Sequence, residues 1–307
     1  MQPENPDYDV IVIGAGPAGI SSAIWCSQLG LRTIVFEREP AAGGQMLHIY
    51  GPVNNYPGLY AANGMELCER FLRSADTCRE AFHLSAEVEK INPEELSVLS
   101  AGGGRVTAGA IIFATGVRRR KLGVPGEDTL AGKGILVSGA QEKDLARERA
   151  IAIVGGGDAA LENALILSEM ARKVYVIHRS RKIKARSEFV ERSRTRPNVE
   201  FILDANVTAI NGTDHVASVT VLEYASGTTR QLPVDLVLVR IGVQPNSELL
   251  RGIADLDNGG YVVVDSLGQT SAALVYAIGD VASPVSPTIA TATGMGSTAA
   301  KHVRFRL

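Results

Sequence analysis

Two short glycine-rich runs, Gly14-Ala15-Gly16-Pro17-Ala18-Gly19 and Gly155-Gly156-Gly157-Asp158-Ala159-Ala160, stand 141 positions apart. Each follows an apolar, β-branched run and opens a stretch of helical character. A strand that turns through glycine into a helix offers unblocked N–H groups at a positive dipole end, and a phosphate binds there. The first glycine makes the bend, the second lets a pyrophosphate approach the backbone, and the third lets helix and strand pack closely; alanine is tolerated at the third place. The residue closing the next strand reads the ribose. For the first run this is Glu37, 18 residues past Gly19, whose carboxylate accepts from both ribose hydroxyls. For the second it is His178, followed by Arg179, Ser180, Arg181, Lys182, Lys184 and Arg186 with no acid before Glu188. A carboxylate repels a 2′-phosphate and a basic cluster attracts one. The first run is therefore expected to take an unphosphorylated ribose. The second is expected to prefer NADPH over NADH, with Arg179, Arg181 and Lys184 as phosphate partners. Two more turns, Ala114-Thr115-Gly116 and Ala277-Ile278-Gly279-Asp280, end apolar strands in glycine, and the second adds an acid.

The elements that must position these residues follow from periodicity. Tyr8 to Gly14 reads as a buried parallel strand, Pro17 to Leu29 as a helix and Leu31 to Glu37 as the next strand, a βαβ unit. A helix is expected over Gly64 to Phe82, with Leu67, Phe71, Leu72 and Ala75 on one face. Val106 to Gly116 is a strand, and Arg118 to Gly126 reads as a linker. Ala152 to Val154, a helix to Arg172 and the strand Lys173 to His178 repeat the opening unit, superposing Gly14 on Gly155 and Glu37 on His178. Short strands fill Val199 to Arg240, Ile241 to Asn246 is a second linker, Tyr261 to Val264 and Leu274 to Gly279 are strands, and Thr288 to Val303 closes the chain as a helix. Two linkers around a middle block predict an α/β protein of two Rossmann-like dinucleotide-binding domains, one inserted into the other. The expected boundaries are 1–116, 117–241 and 242–307.

Composition narrows the rest. The 307 residues carry 31 Lys plus Arg against 33 Asp plus Glu, a net charge of −2, so nothing draws the protein generally to nucleic acid or an anionic membrane. No apolar run approaches the 18 or so residues of a membrane span. The stretch Met1 to Asp9 is polar, unlike a signal peptide. A cytoplasmic protein is expected. The three cysteines, Cys26, Cys68 and Cys78, form no C-x-x-C, so spacing offers neither a metal site nor a local redox pair. Cys68 and Cys78, ten positions apart on one expected helix, would be separated by about 15 Å of rise. No metal ligand set is expected.

The ordered set GAGPAG (14–19), GGQ (43–45), NNYPG (54–58), ATG (114–116), VPGE (124–127), GGGDAALE (155–162), HR (178–179), IGVQPN (241–246) and YAIGD (276–280) resembles the low-molecular-weight thioredoxin reductase group of flavoprotein pyridine-nucleotide oxidoreductases over nearly the whole chain. The resemblance implies FAD held by the outer segments, NADPH held by the inserted one, and a homodimer. It implies that Gln45 and Asn55 touch the flavin side, that Asp280 holds the ribityl chain, and that Thr288 and Ile289 meet the pyrimidine end. The implied FAD set extends to Pro17, Ala18, Arg38, Gly44, Val88, Ala114, Thr115, Gly116 and Gly279. The implied NADPH set comprises Gly155, Gly156, Gly157, Asp158, Ala159 and His178 with the three cations above. A helix N-terminus at the flavin N1 and O2 edge stabilises the anionic reduced ring.

The departures carry as much information. The family's C-x-x-C stands 17 residues before the second glycine motif, and here those four residues are Ser138-Gly139-Ala140-Gln141. A hydroxyl carries no electrons, so the disulfide relay is absent. The family's arginine trio is altered at Ser180 and Lys184, with Arg181 as a substitute, and its Tyr-Arg-Gln before the last helix is Ser286-Pro287-Thr288. Cys26 reads as core. The C-x4-C that would follow the GG turn in glutathione-reductase-type enzymes is absent after Gly44. His48 follows the flavin-side GGQ turn, where it could face the isoalloxazine or substrate, but a lone His near Tyr50 is more often a surface or packing residue. Hydride transfer needs proximity and orientation more than an acid or base, so no catalytic side chain is expected. The leading expectation is an NADPH-dependent FAD oxidoreductase passing electrons to an external acceptor, a small molecule or small redox protein. One alternative is a ferredoxin- or flavodoxin–NADP reductase, which usually carries a C-terminal aromatic extension that this sequence, running to Leu307, lacks. The other is a flavin-binding scaffold or redox sensor without turnover.

Overall fold

The structure, a computed structural model, describes residues 5–307; residues 1–4 of the polar N-terminal stretch lie outside the described residues. The chain divides into two compact units, one running to Arg118 and resuming over Gln244–Leu307, the other being Arg119–Val243.

In the first unit β1 (Tyr8–Ile13), α1 (Pro17–Gln28) and β2 (Thr33–Phe36) are followed by a hairpin, β3 (Val53–Tyr56) with β4 (Leu59–Ala61), and by α2 (Gly64–Ser74). Then come β5 (Phe82–His83), β6 (Val88–Asn92), β7 (Ser97–Ser100), β8 (Arg105–Phe113) and β9 (Val117–Arg119). The second unit holds β10 (Ile135–Leu136), β11 (Ala150–Val154), α3 (Asp158–Ser168), β12 (Lys173–His178), α4 (Ser187–Arg194) and β13 (Val199–Leu203). It continues through β14 (Ala205–Gly212), β15 (Val216–Glu223), β16 (Thr228–Pro233) and β17 (Leu236–Val239), and β18 (Val243–Pro245) and β9 are the two strands in which the chain passes from one unit to the other. The first unit then closes with β19 (Val275–Ala277) and α5 (Ile289–Arg306).

Sheet order in the first unit is β5-β2-β1-β8-β7-β6, with β19 parallel to β8. β1 explains the architecture: from Val10 to Ile13 its residues are apolar and buried because both faces are covered. Val10 and Val12 pack with Ile20, Ala23 and Cys26 of α1 and with Ala299, Ala300 and Val303 of α5. Ile11 and Ile13 face the opposite layer with Val88, Ile91, Leu250 and Val262. Register does the rest. Ile13 aligns with Phe36 and Phe113, and Phe113 with Ala277, so Gly14, Glu37, Ala114 and Ile278 emerge side by side at one carboxyl edge.

The second unit repeats this logic in the order β10-β17-β11-β12-β13, all parallel, beside an antiparallel β14-β15-β16 meander. Val154 aligns with Ile177 and Val239, so Gly155, His178 and Arg240 share one edge.

Two expected elements differ. The helix expected over Gly64 to Phe82 stops at Ser74, and a 3-10 turn covers Asp76–Ala81 with Cys78 at a non-helical φ of −129°. The apolar periodicity ran on through Ala75 and Cys78, but Asp76 opens a new turn, as acids favour helix starts over interiors. The 15 Å rise argument for Cys68 and Cys78 therefore does not apply; all three cysteines are free and buried. The strand expected over Tyr261–Val264 is reduced to one bridge, Leu256 with Val262. Asp257 Oδ1 accepts from Gly259 N and Tyr261 N, both at 2.8 Å, and this turn takes up the backbone that a longer ladder would have used. Among the described residues no helix is long and apolar enough to cross a membrane, and no three His, Cys, Asp or Glu gather as a metal site.

Candidate dinucleotide-binding sites

The first-unit site is built on the turn after β1. Gly14 has φ +102°, and a Cβ there would lie 2.4 Å from Ala114 O. A Cβ on Gly19 would lie 1.9 Å from Gly14 O, so α1 can approach the turn this closely only through glycine. Gly16 caps α1 with no side chain, and Pro17 follows it, which leaves the first-turn N–H groups of Ala18 and Gly19 for an anion.

Glu37 lies beside this turn at 9% exposure. Its Oε2 accepts from Ala15 N at 2.7 Å and its Oε1 from Glu39 N at 3.0 Å. No cation pairs with it among the described residues. Two backbone N–H groups hold the carboxylate, and each oxygen keeps lone pairs for further donors. Vicinal ribose hydroxyls are such donors.

Three other turns converge here. Gly43 N donates to Ala15 O at 2.8 Å, and a Cβ on Gly44 would lie 3.0 Å from Gly16 Cα. Thr115 Oγ1 donates to Asn246 O and Asn246 Nδ2 donates to Thr115 O, both at 2.7 Å, which clasps the ATG turn. A Cβ on Gly279 would lie 2.9 Å from the Ala18 methyl carbon, so the Gly279-Asp280 turn sits against the start of α1. A Cβ on Gly296 would lie 2.5 Å from Ala18 O, and this close contact brings α5 to the same place. Burial pushes the Asp280 carboxyl above its ordinary value, and among the described residues no side chain or backbone group donates to it. A partly buried carboxylate without a partner is costly unless a ligand supplies hydrogen bonds.

The remaining expected FAD residues fall in different settings. Gln45 is exposed and donates to Val117 O at 3.0 Å. Asn55 is exposed on β3. Thr288 caps α5, its hydroxyl accepting from Thr291 N at 3.1 Å, and the half-buried Ile289 packs on the core. Thus the backbone at the start of α5, rather than the Thr288 side chain, is available to a ligand. Arg38 points into solvent and pairs with Glu39 at 3.4 Å. The Val88 side chain is core, so only its backbone can meet a ligand.

In the second unit Gly155 N donates to Ile177 O at 2.9 Å, and Gly157 caps α3 with no side-chain acceptor and open space around it. The loop after β12 folds back on this turn: Lys184 N and Ala185 N both donate to Gly156 O, at 2.8 and 3.0 Å. His178 is an anchor of that turn. Its ring carbon would lie 2.6 Å from a Cβ on Gly156, and its Nε2 is 3.1 Å from Ser180 Oγ. Burial, with Arg179 and Lys184 nearby, lowers the imidazole pKa, so the ring is neutral at pH 7.

The basic cluster divides into tied and untied members. Arg181 Nε meets Asp204 Oδ2 at 2.6 Å. Asp158, expected to touch the cofactor, accepts from Arg186 N and Arg186 Nε, both at 2.8 Å, so its side chain holds the loop instead. Ala159 is exposed in the first turn of α3. Arg179 and Lys184 are exposed and, among the described residues, enter no ion pair. The Arg181 pair is itself solvent-exposed and so weak enough to yield to a phosphate.

The Ser138-Gln141 segment is a closed turn. Glu142 Oε2 accepts from Val137 N and Ser138 N, both at 2.7 Å; Gln141 N donates to Ser138 Oγ at 3.3 Å; and Gly139 N donates to Asn163 Oδ1 at 3.1 Å. Sequence reasoning missed Arg240. In the sequence it stands only as the cation that closes the apolar run Leu236–Val239, and nothing local marks it as buried.

These features define a two-domain α/β protein with a dinucleotide turn in each domain. The profile of the pyridine nucleotide-disulphide oxidoreductase family matches residues 8–296, and the chain belongs to that family. Thioredoxin reductase of Listeria innocua is 34% identical over 305 residues, covering 99% of this chain and 95% of that protein. The structure of Lactococcus lactis thioredoxin reductase superposes with a TM-score of 0.83 at 27% identity, covering 98% of this chain and all 100% of that one. Bacillithiol disulfide reductase from Bacillus cereus shares the fold, with a TM-score of 0.81 at 16% identity and 100% coverage of both chains. The chain is thus a pyridine-nucleotide-dependent flavoprotein oxidoreductase whose cofactors are FAD and NADPH, with an FAD domain interrupted by an inserted NADPH domain. The first-unit residues fit FAD, since Glu37 and Asp280 are acids without cations beside a free helix start.

Proposed function

We propose that this chain transfers electrons from NADPH through FAD to an acceptor outside the chain, with no disulfide relay of its own. One observation carries this reading: Arg119–Val243 contains no cysteine, and the three cysteines of the chain are free and buried elsewhere. NADPH when bound supplies a hydride that FAD accepts. The protein's part is to bind and orient. Gly14–Gly19 and the start of α1 take the FAD pyrophosphate, Glu37 takes its ribose, and Asp280 takes hydroxyls of its ribityl chain. Gly155–Gly157 and the start of α3 take the NADPH pyrophosphate, and Arg179 and Lys184 take its 2′-phosphate.

The titration that tests this counts electrons. Anaerobic reduction with dithionite should consume about two electrons per FAD, and alkylating every accessible thiol of the native protein should leave the rate of flavin bleaching by NADPH unchanged. Uptake of four electrons, or bleaching lost on alkylation, would place a thiol pair in the path. Absence of bleaching by NADPH would favour a flavin scaffold over an enzyme.

Nucleotide preference gives a second expectation. Charge-assisted hydrogen bonds to phosphate contribute about 1.5–3 kcal/mol each. Arg179→Ala should therefore raise KM for NADPH by about tenfold or more and leave KM for NADH within about twofold. Equal loss with both nucleotides would remove Arg179 from phosphate recognition.

A further inference from the structure

The guanidinium of Arg240 is a buried cation without a carboxylate. The residue is 7% exposed, yet among the described residues it enters no ion pair. Its Nη atoms donate only to backbone, to Val239 O at 2.8 Å and Val137 O at 2.9 Å. Leu136 aligns with Leu238, so those two carbonyls close β10 and β17 at the carboxyl edge. The Arg240 backbone flanks the glycine turn: Arg240 N donates to Val154 O at 2.7 Å, and a Cβ on Gly155 would lie 2.1 Å from Arg240 O. Burial lowers the guanidinium pKa to about 10, which leaves it charged at pH 7. The charged groups facing it are Arg119, which adds like charge, and Glu142, whose Oε2 is already committed to Val137 N and Ser138 N. The edge of β10 and β17 therefore carries a buried positive charge that no carboxylate neutralises.

Strand order gives that edge a direction. In a doubly wound sheet the ligand lies outside the carboxyl ends, with its pyrophosphate on the glycine turn and its adenine-side ribose at the end of the next strand. Here the glycine turn follows β11, and the adenine side lies over β12. The other half of the dinucleotide runs the opposite way, over β17 and β10. That half ends in nicotinamide, whose ring is neutral when reduced and carries a positive charge when oxidised. We propose that Arg240 acts as a charge sensor for the nicotinamide end of the bound nucleotide, disfavouring NADP+ relative to NADPH and so helping the spent nucleotide to leave. This rests on the NADPH reading above. A cation that anchored the pyrophosphate would act on both forms alike, because both carry the same phosphates.

The test is equilibrium binding to the oxidised, FAD-loaded enzyme. The probes are NADP+ and the redox-inert 1,4,5,6-tetrahydro-NADP, whose ring is uncharged. Wild-type protein should bind the neutral analogue about tenfold more tightly than NADP+, the scale expected of one unit charge acting in a partly hydrated pocket. Arg240→Gln should tighten NADP+ by about the same factor and leave the analogue within about twofold. Arg240→Lys, which keeps the charge, should keep the wild-type ratio. Equal affinity of wild-type protein for the two probes overturns the proposal without any variant. Equal weakening of both probes in Arg240→Gln overturns it in favour of a phosphate or packing role. FAD-loaded protein that bound neither probe would overturn the NADPH reading itself, and this inference with it.

Discussion

Replacing Glu37 with Ala should strip the protein of FAD and loosen the turn that holds it. The carboxylate does two things at once. It accepts from Ala15 N and Glu39 N within the protein, and it keeps lone pairs for the ribose. A buried donor left without its acceptor costs about 1–3 kcal/mol, so losing the acceptor of Ala15 N destabilises the apo fold by about that much, while the part-exposed Glu39 N can turn to water. Two ribose hydroxyls donating to a charged acceptor contribute about 1.5–3 kcal/mol each, so FAD affinity should fall by about two to four orders of magnitude. Glu37→Gln keeps one amide oxygen as an acceptor and should fall between. Thermal melts of apo protein and FAD titration by flavin fluorescence separate the two effects. FAD affinity in Glu37→Ala within tenfold of wild type would remove this side chain from ribose recognition.

What was legible in the sequence, and what was not, follows from the range of the interactions involved. The glycine turns were legible because strand, turn and helix lie within about twenty residues and each glycine answers a local steric demand. The edge formed by Gly14, Glu37, Ala114 and Ile278 was legible only in part. Each turn could be read alone, but their adjacency depends on parallel register across β2, β1, β8 and β19. For side chains with two available partners, spacing does not say which partner is taken. Asp158 looked like a cofactor ligand and instead holds Arg186, while Thr288 spends its hydroxyl as a helix cap. His178 stood at the ribose position by spacing, and the structure shows its ring used under Gly156. Arg240 was passed over because burial is not written in one residue: nothing local distinguishes a cation that turns inward onto Val137 O from one that faces water. The missing strand at Tyr261 has a local cause, since Asp257 offers the backbone a turn that outcompetes a longer ladder.

Asp280→Asn should stabilise the apo protein and weaken its hold on FAD, opposite signs from one substitution. Burial alone raises this carboxyl above its ordinary value near 3.8, with no protein donor or cation to offset it. The sign follows from proton linkage: the folded state holds the proton to higher pH than the unfolded chain. Apo stability from this site is therefore fully present below the unfolded value. It falls as pH rises from there to the raised folded value and stays low above it. The neutral amide removes that loss. At neutral pH the apo melting temperature of Asp280→Asn should rise by about 2–4 °C, the shift that about 1 kcal/mol produces at this size. The gain should shrink as pH is lowered below the ordinary Asp range. With FAD present the order reverses, because hydroxyls donating to a charged acceptor contribute about 1.5–3 kcal/mol, and the variant should bind FAD about ten- to a hundredfold more weakly. The pair of melts, apo and FAD-saturated, across pH 3 to 8 checks both signs. An apo protein destabilised by the amide would mean that Asp280 serves the fold rather than the cofactor.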